Sequence, residues 1–534
     1  MHSNFRVFDG KAPVLEALGP VKSAYWMVTT LQSAYSGLVT TAQLTARSLS
    51  ALLGHWQSEG AAYRALADRI RLLVLDGRIL VGSRLPAERE LAARLELSRS
   101  TVAAAYRALR EAGYLTSVQG SGSMTRIPAD THDGERGGGP RGAFVASTAS
   151  RDTAVDSDRP LLNFTQAALP ASAGVSEAIQ QAAADVAPLL DTLGFELHGL
   201  PALREAIADR YTERGLPTEP GEIMVTGGAL SALSLITRAF VARGDRVVVE
   251  TPTYPHAADT LLAAGARLVP VGVSVDDGWN EDALLDALAQ SAPALAYVMP
   301  DFHNPTGASM TPGFRRRLVA AAAATRTVLV ADETTAELDI DRPAVAGDPY
   351  MPLAAYGDAV LIGSTSKTFW GGLRIGWIRA ERAVIRRLLA ARASVDIGTP
   401  VFEQLVATSL VRRTAELLPA RQRQLGDGRD VLYSALEQRL PEWRRPPLAG
   451  GLCAWVNVGR PISSQLVLAA RTHGVLFTAG PRFGTDGAFE RFLRLPINYS
   501  PGDTRRAIEV LQRSWAELAG RPFGADLPEF ADLV

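Results

Sequence analysis

The strongest constraint on the fold of this chain is a series of short, β-branched runs that alternate with helical segments. The runs are continuously apolar, and Ala- and Leu-rich stretches separate them. Such strands are buried on both faces, which predicts an α/β fold with a mostly parallel sheet covered by helices on each side. The five runs are residues 223–226, 246–250, 294–299, 327–331 and 359–362. Polar residues follow the strand ends, where open α/β sheets bind ligands.

A block with a different, helical pattern precedes this sheet. Its apolar spacing predicts helices at 63–75, 87–95 and 99–112, with Pro86 suited to the first turn of the second helix and Ser98 as the N-cap of the third. The break between the second and third helices is short, as in a helix-turn-helix. Residues 114–118 and 124–127 flank a Gly- and Ser-rich turn, which predicts a two-stranded wing.

Charge distinguishes this block from the rest of the chain. Residues 61–127 contain 11 Arg, no Lys and 6 acidic residues, a net charge of +5 in a chain whose overall charge is -1. A locally basic domain on a nearly neutral protein is typical of DNA binding. Arg99, Ser100 and Thr101 begin the third helix, where base contacts are expected, and Arg84 and Arg89 lie where phosphate contacts are expected. The alternative is a solvated Arg-rich three-helix module that binds nothing.

The chain of 534 residues is long enough for two or three folded units. We expect an N-terminal extension at 1–55, a DNA-binding domain at 56–127, a flexible linker at 128–160, a large domain at 161–520 whose smaller C-terminal subdomain begins at about 390, and a tail at 521–534. Cys453 is the single cysteine, which excludes an internal disulfide framework and suits the reducing cytoplasm. The sequence shows neither zinc-ligand spacing, a signal peptide nor a membrane span, since polar residues interrupt the stretch 21–39.

A lysine in an unusual context marks the large block. Lys367 follows a predicted buried strand within Gly363-Ser-Thr-Ser-Lys-Thr-Phe-Trp-Gly-Gly-Leu-Arg-Ile-Gly-Trp377. A lone lysine is normally a surface charge, but Ser and Gly neighbours are not typical of a surface. Ser364 and Arg374 flank it with hydroxyl and guanidinium groups that suit a phosphate. The pattern therefore indicates an amine held in a small polar pocket beside an anion.

Other polar residues stand at neighbouring strand ends. Asp332 directly follows the run 327–331, and a buried carboxylate needs a partner such as a protonated pyridine nitrogen, although capping of the next helix is the alternative. Asn304 lies in a turn and could hold a phenolic oxygen, and Tyr254 could stack on an aromatic ring or be a core residue.

Two further features suggest anion binding. Thr226-Gly-Gly-Ala229 ends a strand and opens a helix, where free backbone N–H groups bind phosphate, though this glycine pattern alone is weak. Arg494 lies between apolar residues, which indicates a half-buried clamp for a carboxylate or, alternatively, a structural ion pair.

The N-terminal block closely resembles the GntR family of bacterial regulators. The resemblance rests on Arg84-Leu-Pro-Ala-Glu-Arg-Glu-Leu-Ala92, Leu97-Ser-Arg-Ser-Thr-Val102 and Leu109-Arg-Glu-Ala-Gly-Tyr-Leu115 with the wing that follows. It covers nearly the whole block. It implies that DNA is contacted by Arg84, Arg89, Arg99, Thr101 and the wing residue Gly120.

The constellation in the large block, in its order and spacing, resembles fold-type I aminotransferases, which bind pyridoxal 5'-phosphate (PLP). The resemblance implies Lys367 as the catalytic lysine that holds the cofactor covalently, Asp332 on the pyridine nitrogen and Asn304 on the phenolic oxygen. It also implies Gly228, Ala229, Ser364 and Arg374 on the phosphate, and Arg494 on a substrate or effector carboxylate. Together the two blocks resemble the MocR subfamily of regulators, which implies a head-to-tail homodimer acting on double-stranded operator DNA.

One position departs from the family pattern. A tyrosine that binds the cofactor's phenolic oxygen usually stands two residues after the aspartate, where this chain has Thr334, so we expect altered cofactor tuning. A lesser change is Gly371, where proline is common.

Two functions follow from the sequence. The first is a transcription regulator whose effector is PLP or its adduct with an amine or amino acid. The second is an aminotransferase with a DNA-binding appendage.

Overall fold

The computed structural model describes residues 44–53, 62–75, 79, 81–118, 122–126, 161–485 and 487–519. The described residues form an N-terminal part, up to residue 126, and a C-terminal part, from residue 161. The predicted linker at 128–160, the tail at 521–534 and most of the predicted N-terminal extension lie outside them. Among the described residues, no helix is both long and apolar enough to cross a membrane.

The N-terminal part has the predicted helix-turn-helix and wing. Its helices are α1 (Ala46–Leu53), α2 (Ala62–Leu75), α3 (Glu88–Leu95) and α4 (Arg99–Glu111), and its strands are β1 (Leu115–Val118) and β2 (Gly122–Thr125). Ser98 caps α4 as predicted, because its hydroxyl accepts the backbone N–H of Thr101 at 3.0 Å. The strands pair antiparallel. Pro86 differs from expectation: it precedes the cap Ala87, and its carbonyl accepts the Tyr106 hydroxyl at 3.0 Å.

Helix α1 corrects the predicted start of this part at residue 56. Leu49 and Leu53 are fully buried in the same apolar core as Leu66 of α2 and Leu91 of α3. The Arg69 guanidinium also donates to the carbonyl of Leu53 at 3.0 Å. Residues 46–53 therefore belong to the folded N-terminal part and not to an extension.

The C-terminal part contains thirteen strands and twelve α-helices within its described residues. The strands are β3 (Leu162–Asn163), β4 (Ile223–Thr226), β5 (Arg246–Thr251), β6 (Arg267–Ser274), β7 (Gly278–Trp279), β8 (Leu295–Val298), β9 (Val328–Asp332), β10 (Val360–Ser364), β11 (Gly376–Arg379), β12 (Cys453–Asn457), β13 (Val475–Leu476), β14 (Thr478–Ala479) and β15 (Phe492–Pro496). The helices are α5 (Val175–Asp185), α6 (Pro201–Glu213), α7 (Ala229–Phe240), α8 (Pro255–Ala263), α9 (Glu281–Ser291), α10 (Pro312–Thr325), α11 (Thr365–Thr368), α12 (Arg382–Arg392), α13 (Val401–Arg412), α14 (Thr414–Arg439), α15 (Ser463–Thr472) and α16 (Pro501–Ala519).

The main sheet has eight strands in the order β4-β11-β10-β9-β8-β5-β6-β7. All five predicted strands belong to it. Four of them run parallel in the order β10-β9-β8-β5, β6 extends that parallel set, and β11 runs antiparallel to β10 and β4. Successive side chains of a strand enter different cores: Ile223 and Val225 pack in one apolar cluster and Met224 in the other. The prediction of a mostly parallel sheet covered on both faces is confirmed.

A smaller subdomain packs around the three-stranded sheet β12-β15-β14 and helices α14, α15 and α16. Its boundary is later than the predicted residue 390, since α12 and α13 pack on the main sheet. Leu417 still belongs to the main-sheet core, whereas Leu418 belongs to the core of the smaller subdomain. The boundary therefore falls inside α14. Phe164, which follows β3 near the start of the C-terminal part, also packs in this smaller core.

Candidate functional site

A cavity of about 790 Å³ lies where the carboxyl ends of the main-sheet strands face the smaller subdomain. This volume is in the range of small-molecule sites. Residues distant in sequence line it together. Among the predicted site residues these are Ala229, Tyr254, Asn304, Asp332, Thr334, Lys367, Arg374 and Arg494. The α/β rule that ligands bind at the carboxyl ends of strands therefore describes the position of this cavity.

Lys367 lies in the short helix α11, directly after β10, and its amine reaches the cavity. Burial, with the positive charge of Arg494 as the next cause, lowers the pKa of its amine to about 8. The Nζ atom donates to the carbonyl of Ala167 at 2.7 Å. A larger fraction of such an amine is uncharged at neutral pH than for an ordinary lysine, and the uncharged form is the nucleophile.

Lysine is rare in this chain, which supports a specific role for Lys367. Lysine and arginine together number 55, but only three are lysines, at positions 11, 22 and 367. From residue 23 onward, every residue in this total other than Lys367 is arginine. Guanidinium groups therefore carry nearly all of the positive charge. A primary amine can form a covalent bond to a carbonyl, whereas arginine stays protonated. The single lysine that lines the cavity thus indicates covalent bond formation by its amine rather than the supply of a positive charge.

Asp332 ends β9 and faces the cavity from a buried position. Its Oδ2 accepts the hydroxyl of Tyr297 at 2.7 Å, and its Oδ1 accepts the backbone N–H of Thr334 at 3.0 Å. No side-chain cation forms an ion pair with it among the residues that the structure describes. A buried carboxylate without a cation favours a positively charged group in the cavity.

The N-terminus of α7 and Arg374 form one corner of the cavity. Gly228 caps α7 with φ 108°, a backbone conformation that favours glycine. A Cβ at this position would lie 2.8 Å from the Arg374 Nη2 atom, so the glycine also lets the guanidinium approach. That Nη2 atom donates to the carbonyl of Gly227 at 3.1 Å. Backbone N–H groups of a helix start beside a guanidinium suit a phosphate.

Ser364, predicted to bind the phosphate, is not among the residues that line the cavity. Its hydroxyl caps α11 by accepting the backbone N–H of Ser366 at 3.1 Å, and it donates to the carbonyl of Ile375 at 3.1 Å. The cavity is lined instead by Ser366, which the sequence analysis missed although it directly precedes Lys367. The backbone turn at the end of β10 decides which of the two hydroxyls faces the cavity.

Arg494 lies on β15 of the smaller subdomain, buried at the cavity wall. One Nη2 hydrogen bond goes to the carbonyl of Thr165, and the guanidinium carbon lies 5.1 Å from the centre of the Phe483 ring. Its Nε has no hydrogen-bond partner and it has no carboxylate partner within the described part of the chain. Burial lowers the pKa of this guanidinium. The structural ion pair considered above is therefore not present, and a carboxylate ligand would satisfy the group.

Three side chains complete the walls around Lys367. Tyr254 caps α8, and burial, with the charge of Asp332 as the next cause, raises the pKa of its phenol to about 12. Asn304 accepts a weak hydrogen bond from the Cys453 thiol, with Sγ and Oδ1 3.6 Å apart. Burial raises the pKa of that thiol, so it stays protonated. Sequence reasoning missed Cys453 and Tyr297 as cavity residues, since each occupies a strand that resembles plain core.

The predicted DNA-contacting residues of the N-terminal part differ in their exposure. Arg89, Arg99 and Ser100 are exposed, on α3 and at the start of α4. Thr101 is half-buried, and its hydroxyl lies 2.7 Å from that of Ser98.

Arg84 instead lies against the wing. It forms a β-bridge to Met124, and a Cβ on Gly122 would lie 3.0 Å from its Nε atom. The predicted wing residue Gly120 lies outside the described residues.

Comparison with protein families gives one match for each part of the chain. Residues 159–511 match the family "Aminotransferase class I and II". Residues 62–124 match the family "Bacterial regulatory proteins, gntR family". The two matches share no residues, and each corresponds to one of the two described parts.

Curated relatives match most of this chain or a little more than half of it. The chain is 27% identical to the uncharacterized HTH-type transcriptional regulator YdfD of Bacillus subtilis, over 86% of this chain and 97% of the relative. It is 29% identical to the HTH-type regulator YdcR of Escherichia coli, over 83% and 96%. It is also 32% identical to aromatic-amino-acid aminotransferase 1 of Thermococcus litoralis, over 58% of this chain and 76% of that one.

Solved aminotransferase structures share the fold of the C-terminal part. The α-aminoadipate aminotransferase LysN of Thermus thermophilus, complexed with N-(5'-phosphopyridoxyl)-L-leucine, is 25% identical with a TM-score of 0.61, and the match covers 67% of this chain and 93% of LysN. The multiple-substrate aminotransferase of Thermococcus profundus is likewise 25% identical with a TM-score of 0.61, over 69% and 94%.

Proposed function

This chain belongs to the aminotransferase class I and II family and carries a GntR-type helix-turn-helix domain, and from that premise we propose that PLP, or its adduct with an amine or amino acid, is the effector of a transcriptional regulator. The observation that carries the proposal is a cavity lined by Lys367, Asp332 and Arg494 in a chain that also has a GntR-type helix-turn-helix domain. The combination is consistent with the MocR subfamily. A ligand that binds two conformations with different affinity shifts their populations, and with them DNA binding.

The residues around the cavity fit PLP. Lys367 offers a primary amine with a lowered pKa, and Asp332 offers a carboxylate that has no cation partner among the described residues. The start of α7 and Arg374 offer donors for the phosphate. When bound, PLP supplies an aldehyde that traps primary amines and a ring that withdraws electrons. Lys367 would hold it, Asp332 would pair with its ring nitrogen, Asn304 would face its phenolic oxygen and Tyr254 would cover its ring.

The effector's carboxylate would bind Arg494. This guanidinium is buried at the cavity wall with an unpartnered Nε and no acidic neighbour in the described residues. In the protein as described, backbone carbonyls of Thr165 and Ala167 accept hydrogen bonds from Arg494 and Lys367. These contacts satisfy both cations only in part, since a neutral carbonyl is a weaker partner than a carboxylate.

In a homodimer, the N-terminal part of each protomer would bind one half of a double-stranded DNA operator. Exposed Arg99 and Ser100 at the start of α4 suit the major groove, and Arg89 suits a phosphate. Two-fold symmetry of a head-to-tail dimer would favour paired half-sites. A regulator of this kind works where the chromosome is, so we place it in the cytoplasm.

The second candidate function is an aminotransferase acting on an amino acid. The similarity to aromatic-amino-acid aminotransferase 1 favours it. Against it stand the fused DNA-binding domain and Thr334, which lines the cavity at the position where the resemblance implies a tyrosine. Loss of one donor to a charged oxygen costs about 1.5–3 kcal/mol, which slows a reaction about tenfold or more if it falls on the transition state. We expect amino acids to bind to the cavity, and we expect their transamination to be slow.

We predict that Arg494→Met weakens amino-acid binding roughly 10- to 150-fold while PLP binding persists. The reason is the loss of a charged hydrogen bond worth about 1.5–3 kcal/mol to the carboxylate. The free energy of unfolding should be unchanged or higher, because an apolar side chain replaces a buried charge without an ionic partner. PLP-loaded protein would be titrated with a panel of amino acids, following its absorption spectrum and keto-acid release.

The matched control is Arg471→Met, which removes an arginine from the last turn of α15 in the same subdomain. It should bind amino acids like the wild type. Equal amino-acid affinity of wild type and Arg494→Met would contradict the effector site. Rapid multiple turnovers by the wild type with any common amino acid would favour the aminotransferase instead.

A further inference from the structure

Tyr297 connects two neighbouring strands at the floor of the cavity. On β8 it is paired with Val330 of β9, and its side chain is 1% exposed. Asp332 lies two residues after Val330, so its side chain leaves the same face of the sheet as that of Val330. A phenol is long enough to extend along that face, and its hydroxyl lies 2.7 Å from the Asp332 Oδ2.

The hydroxyl of Tyr297 can act only as a donor to Asp332. Burial, with the negative charge of Asp332 as the next cause, raises the pKa of this phenol well above its ordinary value. The proton therefore stays on the tyrosine, and the hydrogen bond is charge-assisted. The other carboxylate oxygen accepts the backbone N–H of Thr334 at 3.0 Å.

These two bonds fix the plane of the carboxylate. Each oxygen accepts one donor, which leaves further lone pairs for a ligand on the side of Asp332 that lines the cavity. A buried aromatic ring with no polar role could equally be phenylalanine, since the ring alone fills the space. The hydroxyl is thus the part of Tyr297 that acts on the site.

We propose that Tyr297 is a positioning residue for the PLP site: its hydroxyl keeps the Asp332 carboxylate oriented toward the cofactor's ring nitrogen. It touches Asp332 and acts on the cofactor through it. Without this donor the buried carboxylate loses stabilisation of its charge and can rotate away from the direction that the ligand needs. The inference rests on the proposed PLP site and adds a residue that the sequence motifs do not contain.

A double-mutant cycle on the full chain tests this role. The variants are Tyr297→Phe, Asp332→Asn and their combination, with dissociation constants for PLP measured by equilibrium dialysis. Tyr297→Phe should raise the constant about tenfold, as for loss of a charged hydrogen bond. In the Asp332→Asn background the same change should have an effect of less than about twofold, because the charge on which it acts is absent.

Two further readouts separate positioning from general structure. The absorption band of bound PLP should shift in Tyr297→Phe, since the ring nitrogen's partner has changed, while the thermal unfolding midpoint of the empty protein changes little. The control Tyr356→Phe removes a hydroxyl that donates to the carbonyl of Pro349, away from the cavity, and should leave both PLP readouts unchanged.

The outcomes distinguish this inference from the proposed function. If Asp332→Asn binds PLP like the wild type, the proposed site fails at Asp332. If Asp332→Asn is weakened but Tyr297→Phe has wild-type affinity and spectrum, the role of Tyr297 is overturned while the site stands. Equal effects of Tyr297→Phe in both backgrounds would also overturn it, since the tyrosine would then act independently of Asp332.

Discussion

Lys367→Ala should abolish the visible absorption of the protein incubated with PLP, while the variant stays folded. The covalent bond to PLP needs a primary amine, and Lys367 provides the one lysine amine of the described cavity. Only two other lysines exist, at positions 11 and 22. The expected effect is therefore complete loss of the bound chromophore rather than a fractional decrease. Spectra of wild type and variant after removal of free PLP measure it.

Borohydride reduction followed by peptide mass analysis provides the site-specific check. In the wild type the label should lie on the peptide that contains Lys367, and Lys367→Ala should carry none. The double change of Lys11 and Lys22 to Arg is the matched control and should keep the full band. An unchanged spectrum in Lys367→Ala, or a label elsewhere in the wild type, would contradict the assignment.

Arg99→Ala should weaken operator binding about 5- to 150-fold, equivalent to about 1–3 kcal/mol. Arg99 is exposed at the first position of α4, beside the Ser98 cap, where a side chain can reach a guanine edge. Binding by the wild type should also weaken steeply with salt, because neutralised phosphates release counterions. Fluorescence anisotropy on the intergenic DNA beside the gene, at several salt concentrations, provides both quantities.

The control for this prediction is Arg64→Ala, which removes one exposed arginine from α2, outside the helix-turn-helix pair. Its affinity for operator over random DNA should stay near the wild-type ratio. Arg99→Ala should lower that ratio, since a base contact carries sequence preference and a phosphate contact does not. Equal operator affinity of Arg99→Ala and wild type would exclude α4 as the recognition helix.

The sequence was sufficient for the features that local patterns encode. Continuous β-branched runs predicted five strands of the main sheet, four of them in its parallel set, and the Ser98 cap predicted the start of α4. Helix α1 was missed because eight residues are too few for a clear apolar period, although Leu49 and Leu53 are fully buried. The subdomain boundary was placed too early because a single helix, α14, supplies Leu417 to one core and Leu418 to the other.

The cavity was predictable in its motif residues but not in its supporting contacts. Asp332 and Lys367 lie at the ends of neighbouring main-sheet strands, whose shared edge explains why they meet, whereas Arg494 reaches the cavity from β15 of the smaller subdomain. Which serine faces the cavity depends on the turn after β10. The role of Tyr297 depends on the pairing of β8 with β9. Neither the turn nor the register is visible in one strand's own composition.

A ligand held at Lys367 should change DNA binding by the N-terminal part. The most direct measurement is the operator affinity of the full chain without PLP, with PLP, and with PLP plus an amino acid that alters its spectrum, at one fixed salt concentration. We predict a change of about fivefold or more between two of these states in the wild type, the range of typical coupling between sites. Lys367→Ala should show one affinity in all three. Identical affinities of the wild type in every state would exclude PLP and its adducts as effectors of DNA binding.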